Sequence, residues 1–67
     1  MEFRHAVRTH RRLVDMTQCD LAARVGVSQA LIWRIEKGYA LPSPELRSAI
    51  AEALSFPLEE QEPVNEA

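Results

Sequence analysis

Thr17-Gln18-Cys19-Asp20-Leu21-Ala22-Ala23-Arg24-Val25-Gly26-Val27-Ser28-Gln29-Ala30-Leu31-Ile32-Trp33-Arg34-Ile35-Glu36-Lys37-Gly38 is the stretch whose reading decides the fold. It holds two short helical patterns joined by Gly26-Val27-Ser28. Thr17 can cap the first, over 18–25, and Asp20 suits the positive end of its dipole. Leu21, Ala22 and Val25 point one way, and Gly26 stands where a left-handed residue ends a helix. Ser28 can cap the second, over 29–37, and Gly38 ends it. On its helical wheel Leu31, Ile32 and Ile35 share an inward arc, while Gln29, Ala30, Trp33, Arg34 and Lys37 share the opposite one. Two helices joined by a three-residue link, with a small residue at the turn, predict a helix-turn-helix. The second helix would keep an outward face able to enter a DNA major groove.

The flanks complete an all-α reading: one compact bundle of four to five short helices. Residues 2–14 are amphipathic, with Phe3, Ala6, Val7, His10, Leu13 and Val14 on the arc expected to face the core; the pattern breaks at Asp15. Ser43, Pro44 and Glu45 start a helix whose expected buried stripe is Leu46, Ala49, Ile50, Ala53 and Leu54. Phe56, Pro57 and Leu58 suggest a short fifth turn. The expected domain is 1–58, followed by an acidic tail, 59–67, read as frayed or disordered.

At 67 residues the chain is one small domain with a marginal core. A single cysteine, Cys19, excludes an intrachain disulfide, and no Cys/His cluster has zinc spacing. Helix packing and a partner chain are the remaining sources of stability. The longest charge-free run is nine residues, Val25 to Trp33, too short for the roughly 20 that a membrane span needs. With no secretory signal and one unpaired thiol, a cytoplasmic, nucleoid-associated setting is expected. The net charge of −2 is divided unevenly: residues 1–37 carry +3 and residues 38–67 carry −5. The first half suits a polyanion and the second does not.

Thr17-Gln18-x-x-Leu21-Ala22-x-x-Val25-Gly26-Val27-Ser28-Gln29-x-x-Ile32-x-Arg34-Ile35-Glu36-x-Gly38 resembles the phage-repressor and Cro-type (XRE-type, lambda-repressor-like) helix-turn-helix family. Pro42-Ser43 and the run Ile50-Ala51-Glu52-Ala53-Leu54 are similar to its fourth helix, so the resemblance covers about residues 3–60. It implies a regulator that binds double-stranded DNA, usually as a homodimer on a palindrome. It also implies base reading by Gln29, Ala30 and Arg34, phosphate contacts at Gln18, Ser28 and Lys37, and an ion pair between Arg11 and Glu36 with Arg11 also near phosphate. Gln pairs with adenine and Arg with guanine in the major groove, and Ala30 can pack on a thymine methyl. Trp33 is larger than that position commonly carries; it either joins the base-reading residues, touching DNA sugar or methyl groups, or packs on Tyr39, Leu41 or Pro42. Tyr39 joins the expected phosphate contacts, although its loop lacks the family's basic residues. His10 stands where an apolar residue is usual and reads as a half-buried core residue.

The other readings are plainer. Cys19 reads as a small, partly buried thiol. His5 and His10 lie off the spacing of a helical metal pair, so no metal or other cofactor is expected. No residue set suggests catalysis, so an enzyme is not expected. Phe56 and Leu58 are the candidate dimerisation residues, as apolar side chains left over once the bundle is filled, with Val64 beside them. The competing reading is a protein-interaction module (antitoxin, co-regulator or anti-repressor) on the same scaffold, motivated by the net acidity.

Overall fold

A computed structural model describes residues 2–58. It contains four helices: α1 (Phe3–Leu13), α2 (Gln18–Val25), α3 (Gln29–Lys37) and α4 (Pro44–Leu54). No strand occurs among the described residues, and the fold is all-α. The tail, 59–67, and with it Val64, lies outside the described residues.

Local chemistry sets the boundaries. The Thr17 hydroxyl accepts from the Asp20 amide at 3.0 Å, and the Asp20 carboxylate accepts from the Thr17 amide at 3.0 Å, closing a reciprocal capping box on α2. The Thr17 amide first, and its hydroxyl second, hold the Asp20 carboxyl below the usual carboxylate range. Ser28 and Ser43 cap α3 and α4 by accepting from the amides of Leu31 and Leu46, each at 3.1 Å. Pro44 fills the first turn of α4, where a missing N–H costs nothing. Gly26 and Gly38 follow α2 and α3 at φ +80° and +84°, the left-handed region that glycine enters without strain.

The helices pack in four main pairs, α1 and α2 each against both α3 and α4. Phe3, Ala6 and Val7 of α1 meet Leu21 and Ala22 of α2, Ile32 and Ile35 of α3, and Ile50, Ala51 and Leu54 of α4 in one core. The buried stripe of α4 sits slightly round the helix from the expected one: Ala51 is buried, while Leu46, Ala49 and Ala53 flank it half-buried. The shift brings Arg47 to the bundle, its guanidinium carbon 5.0 Å from the Phe3 ring centroid.

Two expected core positions are corrected. Leu13 and Val14 are exposed, at 73% and 52%. Burial along α1 ends at Val7 with His10 half-buried. Asp15 then turns the chain at φ +57°, and Met16 takes up the packing against the core instead. His10 Nδ1 donates to the Ala6 carbonyl at 2.9 Å, and the ring stacks on Phe56, centroids 4.6 Å apart.

The proposed leftover surface is also corrected at Phe56. Ser55 adopts φ +59°, and the amides of Ser55 and Phe56 donate to the carbonyls of Glu52 and Ala51. This Schellman turn folds Phe56 back into the core. Phe56 is 6% exposed and packs against Phe3 and His10, so it is a core residue and not one left over once the bundle is filled. Leu58 is half-buried against the same cluster.

Gly38 carries a second constraint. The Arg4 side chain of α1 crosses the end of α3 and donates to the Lys37 carbonyl at 3.5 Å. A Cβ at Gly38 would collide with the Arg4 guanidinium, whereas one at Gly26 would meet nothing within 4 Å. Gly26→Ala should therefore cost only left-handed backbone strain, about 1–2 kcal/mol. Gly38→Ala should cost the same strain and only slightly more, because the group that a Cβ would meet is the far end of the flexible Arg4 side chain, which can swing aside. Urea unfolding of the two variants beside the parent checks the ranking.

Candidate nucleic-acid interface

Turning the apolar side of α3 inward exposes the opposite side. Ile32 and Ile35 are fully packed, and Gln29, Ala30, Trp33, Arg34 and Lys37 are exposed along the outer face. Two of these are cationic and none is acidic, so the face suits a polyanion.

Glu36 is the buried exception on α3, with its side chain 3% exposed. The Arg11 guanidinium from α1 donates to it twice, Nε to Oε2 at 2.8 Å and Nη2 to Oε1 at 3.0 Å. Arg11 Nη1 donates to the Met16 carbonyl at 2.9 Å. A planar donor fork against a carboxylate fixes direction as well as distance. Through it α3 is tied to α1.

The network continues to the surface. Gln18 Nε2, in the first turn of α2, donates to Glu36 Oε1 at 3.0 Å. Gln29 Nε2, in the first turn of α3, donates to Gln18 Oε1 at 2.7 Å. Each amide has its donor end turned toward the buried carboxylate. Gln29 is thereby left with Oε1 and one N–H for an outside partner, the pair that a bidentate contact with an adenine edge requires.

The other sequence candidates are placed as follows. Ser28 uses its hydroxyl oxygen as the cap of α3, which leaves its proton to donate outward. Arg34 and Lys37 lie on the open face in the last turns of α3. Trp33 packs against Tyr39 in a T-shaped contact, centroids 5.6 Å apart, with Lys37 Nζ 5.8 Å from the Trp33 centroid. Tyr39 is exposed, and Leu41 is almost fully so at 95%. Arg11 is largely enclosed by Glu36 and Met16 and contributes by positioning the face. Cys19, expected to be partly buried, is exposed instead: its position in the first turn of α2 points away from the core and lines an open depression with Arg12, Gln18 and Gln29. The Gln18–Glu36 and Gln18–Gln29 bonds were not legible in the sequence, because residues 11 and 18 apart are brought together only by the angle between α2 and α3.

Among the described residues no group of three or more His, Cys, Asp or Glu side chains could hold a metal ion, and no helix is long and apolar enough to cross a membrane.

Residues 2–64 match the family described as Helix-turn-helix domain. The chain belongs to that family. A curated relative from Methanothermobacter thermautotrophicus (strain Delta H) bears the name "Uncharacterized HTH-type transcriptional regulator". It is 45% identical to this helix-turn-helix chain over 51 residues, covering 76% of the chain and 74% of the relative. No solved structure matches.

The buried ion pair makes a double-mutant cycle informative. Arg11→Met should cost about 3–5 kcal/mol, since it leaves the Glu36 carboxylate buried and unpaired. Adding Glu36→Leu should recover much of that loss. Denaturant melts of the two single variants and the double variant measure the coupling.

Proposed function

We propose that this chain is a sequence-specific regulator of transcription that binds double-stranded DNA through the outer face of α3, as a repressor of the phage-repressor and Cro type. The observation that carries the reading is the Gln29–Gln18–Glu36–Arg11 network, which orients the Gln29 amide at the start of an exposed helix face that also bears Arg34 and Lys37. The relative's name, that of an HTH-type transcriptional regulator, supports it.

In this mechanism α3 lies in the major groove. Gln29 reads adenine, Arg34 reads guanine and Ala30 leaves room at the base edges. Lys37, Ser28 and Tyr39 face the phosphates, and Gln18 reaches one from the start of α2. The first-turn amides of α2 and α4 that the caps do not use add donors for phosphate oxygens. Arg11 acts through Glu36, with two guanidinium hydrogens left toward the backbone of the duplex. One copy offers one recognition helix, so two copies on a palindrome, with their helices roughly 34 Å apart, supply the needed affinity. Bound there, the protein blocks access to an overlapping promoter, acting in the cytoplasm at the nucleoid.

The acidity of residues 38–67 and the exposed Trp33, Tyr39 and Leu41 favour a second reading, a protein-interaction module on the same scaffold. Selection of duplexes from a random library separates the two. On a selected duplex Gln29→Ala and Arg34→Ala should each weaken binding by about 1–3 kcal/mol and relax preference at one base position. Binding should also fall as salt rises. Unchanged affinity and preference in both variants, or failure to enrich any sequence, would refute the DNA reading.

A further inference from the structure

The middle of the outward face of α3 is apolar. Ala30 and Trp33, one helical turn apart, are neighbours on it, with Gln29 and Arg34 toward its margins. Trp33 is 41% exposed in spite of its contacts. Those contacts hold the ring in place. The amide of Tyr39 donates to the Arg34 carbonyl at 2.8 Å and that of Gly38 to the Ile35 carbonyl at 3.1 Å, forming the same kind of turn that ends α4. Such a turn brings the second residue beyond the helix back onto its last turns, and here that residue is Tyr39, whose ring meets Trp33 at an interplanar angle of 64°. Lys37 Nζ lies over the ring, 5.8 Å from its centroid. An indole fixed in this way loses little further entropy when a ligand covers it.

A buried apolar centre needs an apolar partner. The base edges lining the major groove offer hydrogen-bond donors and acceptors at nearly every position, and the C5-methyl of thymine is their one apolar group. Cytosine methylated at the same carbon presents an equivalent group. Building on the DNA reading of this face, we infer that Trp33, with Ala30 beside it, is a specificity determinant that recognises the 5-methyl group of a pyrimidine in the major groove.

The test uses the full chain and a duplex selected by it. Each thymine is replaced in turn by uracil, which removes only the methyl, and each cytosine by 5-methylcytosine, which adds one. At one or two positions per half-site the parent protein should bind the uracil duplex about fourfold more weakly for each methyl lost. Trp33→Ala should bind the two forms equally, and Trp33→Phe should retain part of the preference. Circular dichroism checks that each variant is folded; if Trp33→Ala is not, the reduced preference of Trp33→Phe decides. A gain with 5-methylcytosine at the position lost in Trp33→Ala identifies methylated cytosine as the source of the methyl, and a loss with uracil identifies thymine. A thymine-over-uracil ratio that is the same in Trp33→Ala and Trp33→Phe as in the parent, or the absence of any methyl-sensitive position, overturns the inference while leaving the DNA reading intact. If no duplex is bound at all, the DNA reading fails and this inference falls with it.

Discussion

The carboxylate of Glu36, enclosed in the bundle and clasped by Arg11, is the interaction on which the rest of the molecule depends. A buried ion pair adds little stability over a well-packed apolar pair of the same volume. It supplies direction instead. The fork of Arg11 fixes the roll of α3 relative to α1, and the second lone pair of Glu36 Oε1 takes the amide of Gln18. Gln18 in turn orients Gln29. One buried charge thus sets the register of two helices and the hydrogen-bonding polarity of a side chain at the surface. An apolar substitute would pack as well, but it would leave the Gln18 and Gln29 amides free to rotate.

The same economy runs through the helix ends. α2 and α3 are only eight and nine residues long, too short to persist alone in water. Thr17, Asp20, Ser28 and the two glycines satisfy the end groups that would otherwise fray them, and Ile32 and Ile35 hold α3 to the core. Arg4 closes the C-terminal end of α3 from α1, where a cation meets the negative end of the helix dipole. What is left over on α3 is a rigid outer face carrying Gln29, Ala30, Trp33, Arg34 and Lys37.

Much of this was legible in the sequence because caps, glycine stops and wheel patterns are local. Thr17, Ser28, Ser43, Gly26 and Gly38 each mark a boundary within a residue or two of where the chain turns, and the spacing from Leu21 to Ile35 encodes the packing of α2 on α3. The departures arise where distant segments decide. Leu13 and Val14 fit the α1 wheel, but they stand exposed beyond the Arg11–Glu36 pair, and Met16 packs against the core instead. Phe56 looked surplus because the turn that returns it to the core uses Ser55 in a left-handed conformation, which a sequence marks clearly only when the residue is glycine. Cys19 has an unremarkable neighbourhood in sequence, and its exposure follows from the orientation of the α2 N-terminus. The Gln18–Gln29 bond depends on the crossing of two helices, which local patterns do not specify.

The central claim is that the outer face of α3, braced from beneath by Glu36, is the surface that meets DNA. Titration of a selected duplex into the isotopically labelled protein, followed amide by amide by NMR, tests it most directly. The largest shifts should fall on residues 28–39 and at the start of α2, with the outward side of α4 nearly silent. Shifts centred on α4 or on the exposed end of α1, with α3 unaffected, would contradict it.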